Sequence, residues 1–162
     1  MAAEAWVDLE LERREGDLGV AAAAWRDESR TAEPLRRMLL EHWIGWAEAN
    51  AAEPPGSWIG RVSLLDWGGV PIVALPGEVF AETSLTIRGA MPAGPAMVLS
   101  YADGTPGYIP PASEYRFGGY EVDEAHRFIG LRGGFASGSA ERLADAAKSL
   151  LSAHNNSANQ RK

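Results

Sequence analysis

The chain has 162 residues, no cysteine, and a net charge of −7 from fifteen basic and twenty-two acidic side chains. That length fits one domain able to bury a core, and an apolar share of 46% excludes wholesale disorder. The acidic balance works against phosphate backbones and anionic lipid surfaces, so nucleic acid is not an expected partner. The lack of cysteine removes disulfides, thiolate metal sites and cysteine nucleophiles.

No stretch approaches the roughly eighteen apolar residues of a membrane span. The charged start MAAEAWVDLELERREGD lacks the apolar region of an export signal, so the chain as given reads as soluble and, by default, cytoplasmic.

Residues 1–16 alternate loosely, Trp6, Val7, Leu9 and Leu11 being interleaved with acids, which predicts a half-exposed strand. Residues 17–29 are alanine-rich and helix-permissive, with Asp17 as cap. A second helix follows. Thr31 can cap it, Pro34 fits its first turn, and Pro54-Pro55-Gly56 ends it. Leu35, Met38, Leu39, His42, Trp43 and Trp46 form its expected apolar face, with His42 read as a packed histidine.

From Trp58 the texture becomes β-like. Runs at 58–66 and 70–75 flank Trp67-Gly68-Gly69, a turn suited to a hairpin, with Pro71 expected near the start of the second run. Residues 78–90 read as a helix and 96–101 as a strand, so 70–101 predicts a strand-helix-strand unit with parallel strands. Residues 108–138 are dense in Gly, Pro and aromatics and suit an ordered functional loop region. A terminal helix capped by Ser139 precedes a polar tail. The expected class is α/β: a small mixed sheet, built from a hairpin and a parallel βαβ unit, with flanking helices. Residues 1–154 form the domain and 155–162 the tail.

In an open α/β sheet, ligands gather beyond the carboxyl ends of parallel strands. Glu78 follows one such end and Tyr108 the next, 30 positions later. Glu78 has an ordinary reading, a favourable charge in the first turn of a helix, and Tyr108 an equally ordinary one as a packed loop tyrosine. A carboxylate and a phenol brought together could also hydrogen-bond a substrate or ligate a metal. The metal reading needs a strong cation, because a free tyrosine keeps its proton at neutral pH.

The run VALPGEVFAE, the apolar strand after it, and GYIPPASEYRFGGYE resemble the C-terminal part of the catalytic region of the neutral/alkaline, non-lysosomal ceramidase family and its bacterial relatives. The likeness covers about residues 58–135. In that family a Pro-Gly-Glu turn supplies a glutamate ligand to zinc and a tyrosine after the next strand supplies another. The resemblance therefore implies Glu78 and Tyr108 as zinc ligands, with Tyr120-Glu121 at the family's following Tyr-Glu pair. HRFIGLRG is similar in position to an aromatic-hydrophobic-glycine segment of the family.

The departures matter as much. The family's two histidine ligands and serine nucleophile come from N-terminal motifs that this chain lacks. His42, His126 and His154 match none of those contexts, and His126 reads as a structural or supporting residue. There is no Gly-x-Ser-x-Gly elbow, and Ser137 and Ser139 read as turn and cap residues.

The expectation is the C-terminal section of a ceramidase-like zinc amidohydrolase. It would act on ceramide or another N-acyl lipid-like amide, and be completed by an N-terminal catalytic portion or second subunit. Alone it should bind zinc poorly and turn over nothing, since a catalytic zinc usually holds three protein ligands. The alternatives are a non-catalytic module that binds a partner or apolar ligand through its Trp-rich segment, and a structural domain in which Glu78 caps a helix and Tyr108 packs.

Overall fold

The computed structural model describes residues 2–102 and 104–159. Strand β1, Ala2–Glu12, opens the chain. Val7, Leu9 and Leu11 point inward, while Glu4, Trp6, Asp8 and Glu10 are exposed, the two-residue period that the sequence carries. Helices α1, Leu18–Ser29, and α2, Pro34–Asn50, follow and pack together. Asp17 caps α1 by accepting the Val20 amide at 2.9 Å.

Two expectations for α2 are corrected. Its cap is Glu33, which makes no side-chain cap bond, rather than Thr31. Its buried face is Leu40, Trp43, Trp46 and Ala47, whereas Leu35, Met38 and His42 are exposed. The apolar stripe is wider than the contact it makes. Trp46 and Ala47 dock on Leu18, Ala22 and Trp25, and this turns the helix by about a quarter turn from the face that spacing alone selects.

Strands β2, Ser57–Trp67, and β3, Val70–Ala74, form the predicted hairpin around Gly68-Gly69. Both of these glycines sit at positive φ (62° and 89°), the region that tight hairpin turns require, and the Gly69 amide donates to Asp66 at 2.7 Å. Pro71 lies one residue into β3, opposite Asp66. Strand β1 lies antiparallel to β2 in a register from Ala2 opposite Leu65 to Glu10 opposite Ser57.

Next come β4, Glu78–Val79; α3, Ala81–Arg88; β5, Met97–Leu99; β6, Tyr108–Ile109; β7, Gly134–Phe135; and α4, Ser139–Asn159. β5 pairs parallel with β3, so the strand-helix-strand unit is present. The main sheet has the order β5-β3-β2-β1-β7, and β4 with β6 makes a second, two-stranded parallel ribbon. Together with the helices these give the mixed α/β architecture.

One face of the main sheet is covered. Val7, Leu9, Val62, Leu64 and Val73 pack with Ile87 of α3 and Leu143, Ala147 and Leu151 of α4 in a single cluster. Each fully buried aliphatic side chain of this kind contributes about 1.5–3 kcal/mol. The other face is open: Trp6, Ile59, Leu65, Trp67, Met97 and Leu99 are exposed.

Two further boundaries move. Gly138 rather than Ser139 occupies the cap position of α4, its carbonyl accepting the Arg142 amide at 3.0 Å. The helix also continues to Asn159, through most of the expected tail, of which 160–162 lie outside the described residues. Nothing between Ser139 and Asn159 is a Gly or Pro breaker, and His154 is tied to Asp66 at the hairpin by a 2.9 Å contact. No helix among the described residues is long and apolar enough to cross a membrane.

Candidate functional site

The ordinary explanation of Glu78 does not hold. Helix α3 begins at Ala81 with Phe80 as its cap residue, and the first-turn acid is Glu82. Glu78 instead lies in β4, directly opposite Tyr108 of β6, as Val79 lies opposite Ile109. Side chains of register partners leave the ribbon on the same face. Ile109 is fully buried on the core side, which puts Glu78 and Tyr108 together on the other.

Glycine makes this pairing possible. Gly77 has φ 65°, and a Cβ there would stand 2.7 Å from the Gly107 carbonyl oxygen and 2.9 Å from Ile109 Cδ1. With no side chain in the way, Gly77 N reaches Gly104 O at 2.9 Å and Glu78 N reaches Gly107 O at 2.8 Å. Leu75 N to Leu99 O at 2.8 Å and Tyr101 N to Gly77 O at 2.9 Å lace the two strand ends further. The Pro-Gly-Glu turn is thus a device for laying one strand's exit against the next one's.

Three oxygen-bearing side chains meet there. The Glu78 carboxylate lies near both Tyr101 and Tyr108 and raises both phenols. Glu78 as a nearby hydrogen-bond acceptor, together with partial desolvation and the negative charge of Glu78, pushes the Tyr101 hydroxyl up to about 12. Tyr108 is raised first by Glu78 as a nearby acceptor and then by the Glu78 charge, with smaller effects from desolvation, Glu121 and Tyr120. Both phenols therefore keep their protons at neutral pH. Glu121 adds a second negative charge nearby, so the surroundings suit a cation.

An aromatic path leads away from this cluster. Ring centroids run Phe80 to Tyr108 at 6.4 Å, Tyr108 to Tyr120 at 6.0 Å and Tyr120 to Phe128 at 6.0 Å, and Phe128 stacks on His42 at 4.9 Å. Phe117, Tyr120, Phe128 and Ile129 are exposed, an apolar approach to the acidic end. The segment carrying them is better ordered than a loop. Tyr120–Glu124 forms a π turn and Ala125–Phe128 a 3₁₀ turn.

What fixes that segment is a buried ion pair. Arg127 Nε and Nη2 reach Glu15 Oε1 at 3.1 and 2.7 Å, and the guanidinium lies over Trp43 and Trp25, 4.3 and 5.0 Å from their centroids. Trp46 Nε1 donates to Leu131 O at 2.7 Å, and His126 stands edge-on to Trp46. Burial alone would raise the Glu15 carboxyl, but contacts with His126 and Arg127 outweigh it and hold the group down at about 2.

No histidine joins Glu78 and Tyr108. His42 Nε2 lies 3.1 Å from Arg127 O, His126 Nε2 is 3.2 Å from Glu15 Oε1, and His154 faces Asp66. His42 is thus engaged by its ring and Nε2 but is exposed, not packed inside, whereas His126 is buried and structural as expected. Ser137 is exposed and Ser139 is buried at the start of α4. Among the described residues no group of three or more His, Asp or Glu could hold a metal ion. The two residues set opposite each other, Glu78 and Tyr108, would supply part of a zinc coordination sphere, since zinc accepts carboxylate oxygen at about 2.0–2.2 Å.

Sequence reasoning missed Tyr101. The sequence places it at the end of a strand over 96–101, whereas the strand stops at Leu99 and Tyr101 stands past its carboxyl end, as Glu78 stands past β3. Its place after a parallel strand was the signal. No family model matches the chain, and neither a curated protein nor a solved structure is significantly similar to it.

Proposed function

We propose that this chain is the C-terminal section of a ceramidase-like zinc amidohydrolase, acting on ceramide or another N-acyl lipid-like amide. Its support is the pairing of Glu78 with Tyr108, which lie directly opposite each other in β4 and β6. Those two residues would hold the metal. The remaining ligands and the nucleophile would come from an N-terminal catalytic portion or a second subunit. Zinc bound there would polarise the amide carbonyl or activate the nucleophile. The exposed aromatic path from Phe128 to Tyr108 gives an acyl chain a surface on which to approach.

Zinc titration of the purified chain, read by tyrosine difference absorption, tests the assignment. Two ligands give weak but saturable binding of one zinc, and Glu78→Gln or Tyr108→Phe should each weaken it at least about tenfold. Unchanged affinity in both variants removes the amidohydrolase reading. A non-catalytic module would then stand, favoured by the open sheet face with its exposed Leu65, Trp67, Met97 and Leu99.

A further inference from the structure

Six large apolar side chains stand exposed on the uncovered face of the main sheet: Trp6, Ile59, Leu65, Trp67, Met97 and Leu99. Strand register gathers most of them into one patch. Leu65 lies opposite Ile72, Ile72 opposite Met97, and Trp67 opposite Val70, so these side chains leave the sheet together. The residues alternating with them, Val62, Leu64 and Val73, turn to the other face, where α3 and α4 cover them. A sheet that keeps its second face in water ordinarily makes that face polar. Here it is apolar from β2 to β5.

The area is large for a chain that stays alone. An aromatic side chain offers roughly 150–250 Å² and an aliphatic one less, which puts the six, at their exposures, on the order of 700 Å². The largest apolar patch of a typical monomer is about 300–600 Å². Two such faces brought together would bury about 1,400 Å², the size of a stable protein interface.

Charge is sorted across the same face. Glu4, Asp8 and Glu10 are exposed along β1, whereas β2, β3 and β5 add no acid to it, because Asp66 turns to His154. Arg61, the one basic residue of these four strands, lies 3.2 Å from Glu4 and 5.7 Å from the centre of the Trp6 ring. The patch from β2 to β5 therefore asks for apolar area and not for a charge, and the acids at its margin, with the net charge of −7, work against a lipid surface.

We propose that the β2-β3-β5 part of this face packs against the same part of a second copy of the chain. A two-fold axis parallel to the strands and near β3 sets β3 on β3 and each β2 on the other copy's β5. It leaves each β1, with its acids, at an outer margin and away from its mate. The result is an apolar centre with a charged rim, the usual build of an interface, formed by stacking sheet on sheet. The inference does not rest on the amidohydrolase reading, since Glu78 and Tyr108 belong to the separate β4-β6 ribbon.

Sedimentation equilibrium of the purified chain without zinc, from about 1 to 200 µM, tests it. The mass should rise from that of one chain to that of two. Trp67→Glu places a charge in the apolar centre at a position too exposed to matter for folding, and should weaken the dimer at least about thirtyfold, the size of a hot-spot loss. Leu35→Glu, on the exposed side of α2, should leave it unchanged. Acrylamide quenching of the parent's tryptophan emission gives a readout without any variant: it should fall as the dimer forms and hides Trp67. A chain still monomeric at the highest concentration overturns the proposal. So does a dimer that survives Trp67→Glu or leaves quenching unaltered.

Discussion

Replacing Arg127 by methionine is expected to cost about 3–5 kcal/mol of folding stability at neutral pH, the range for removing one partner of a buried ion pair. The Glu15 and Arg127 side chains are each 6% exposed, and Glu15 Oε2 has no hydrogen-bond partner, so the carboxylate depends on what reaches Oε1. Methionine would retain some packing against Trp43 and Trp25 but no charge. His126 Nε2, 3.2 Å from that oxygen, is not aligned for a hydrogen bond and cannot replace a two-pronged guanidinium.

The sign of the pH dependence follows from the neighbours that lower Glu15, His126 first and then Arg127, so Arg127→Met removes only part of the shift. A carboxyl held at about 2 in the folded chain, against an ordinary 4.5, adds stability that is complete above 4.5 and is lost as the pH falls through 2. The gap between parent and Arg127→Met should therefore narrow as the pH drops from 4.5 towards 2. Urea unfolding across that range measures it. A cost below about 1 kcal/mol at pH 7 would show that the tryptophans, rather than the ion pair, hold the segment.

Gly77→Ala is expected to cost about 3 kcal/mol, combining left-handed strain with overpacking. Its new methyl would meet the Gly107 carbonyl at 2.7 Å, and a backbone oxygen cannot rotate away as a side-chain tip can. Relief requires Gly107 to retreat, which breaks its 2.8 Å bond from Glu78 N and parts β4 from β6. The substitution should thus abolish zinc binding along with the stability it removes, even though alanine carries no polar group. Thermal unfolding and zinc titration of the same sample check both, and a loss confined to stability would show that the ribbon does not shape the site.

The fold was legible wherever the sequence carries a period or a turn residue. β1 announced itself by alternation, the β2-β3 hairpin by Gly68-Gly69, α1 by Asp17, and the βαβ unit by two apolar runs around a helical stretch. What could not be read were contacts that cross the chain. The two-residue strands β4, β6 and β7 are too short to show a period, and the first two exist because Gly77 lets backbones meet. Facing of α2 is set by docking on α1, not by its own stripe. The extension of α4 through the polar tail had no apolar signal, and its anchor, His154 on Asp66, spans 88 positions.

The site was half legible. Glu78 and Tyr108 follow the carboxyl ends of parallel strands, a placement that spacing can suggest. Tyr101 was hidden by its own neighbours, because LSYAD continues an apolar run and nothing in it marks a left-handed residue. Arg127 was equally opaque, since a buried arginine is recognisable only once three tryptophans and a glutamate from elsewhere surround it.

Zinc-edge anomalous diffraction from crystals of this chain soaked in millimolar zinc is the direct measurement of the central claim. The account predicts a peak about 2.0–2.2 Å from a Glu78 carboxylate oxygen and within a few tenths of an ångström of that distance from the Tyr108 hydroxyl. Zinc bound only elsewhere on the surface, with none between Glu78 and Tyr108, would contradict it.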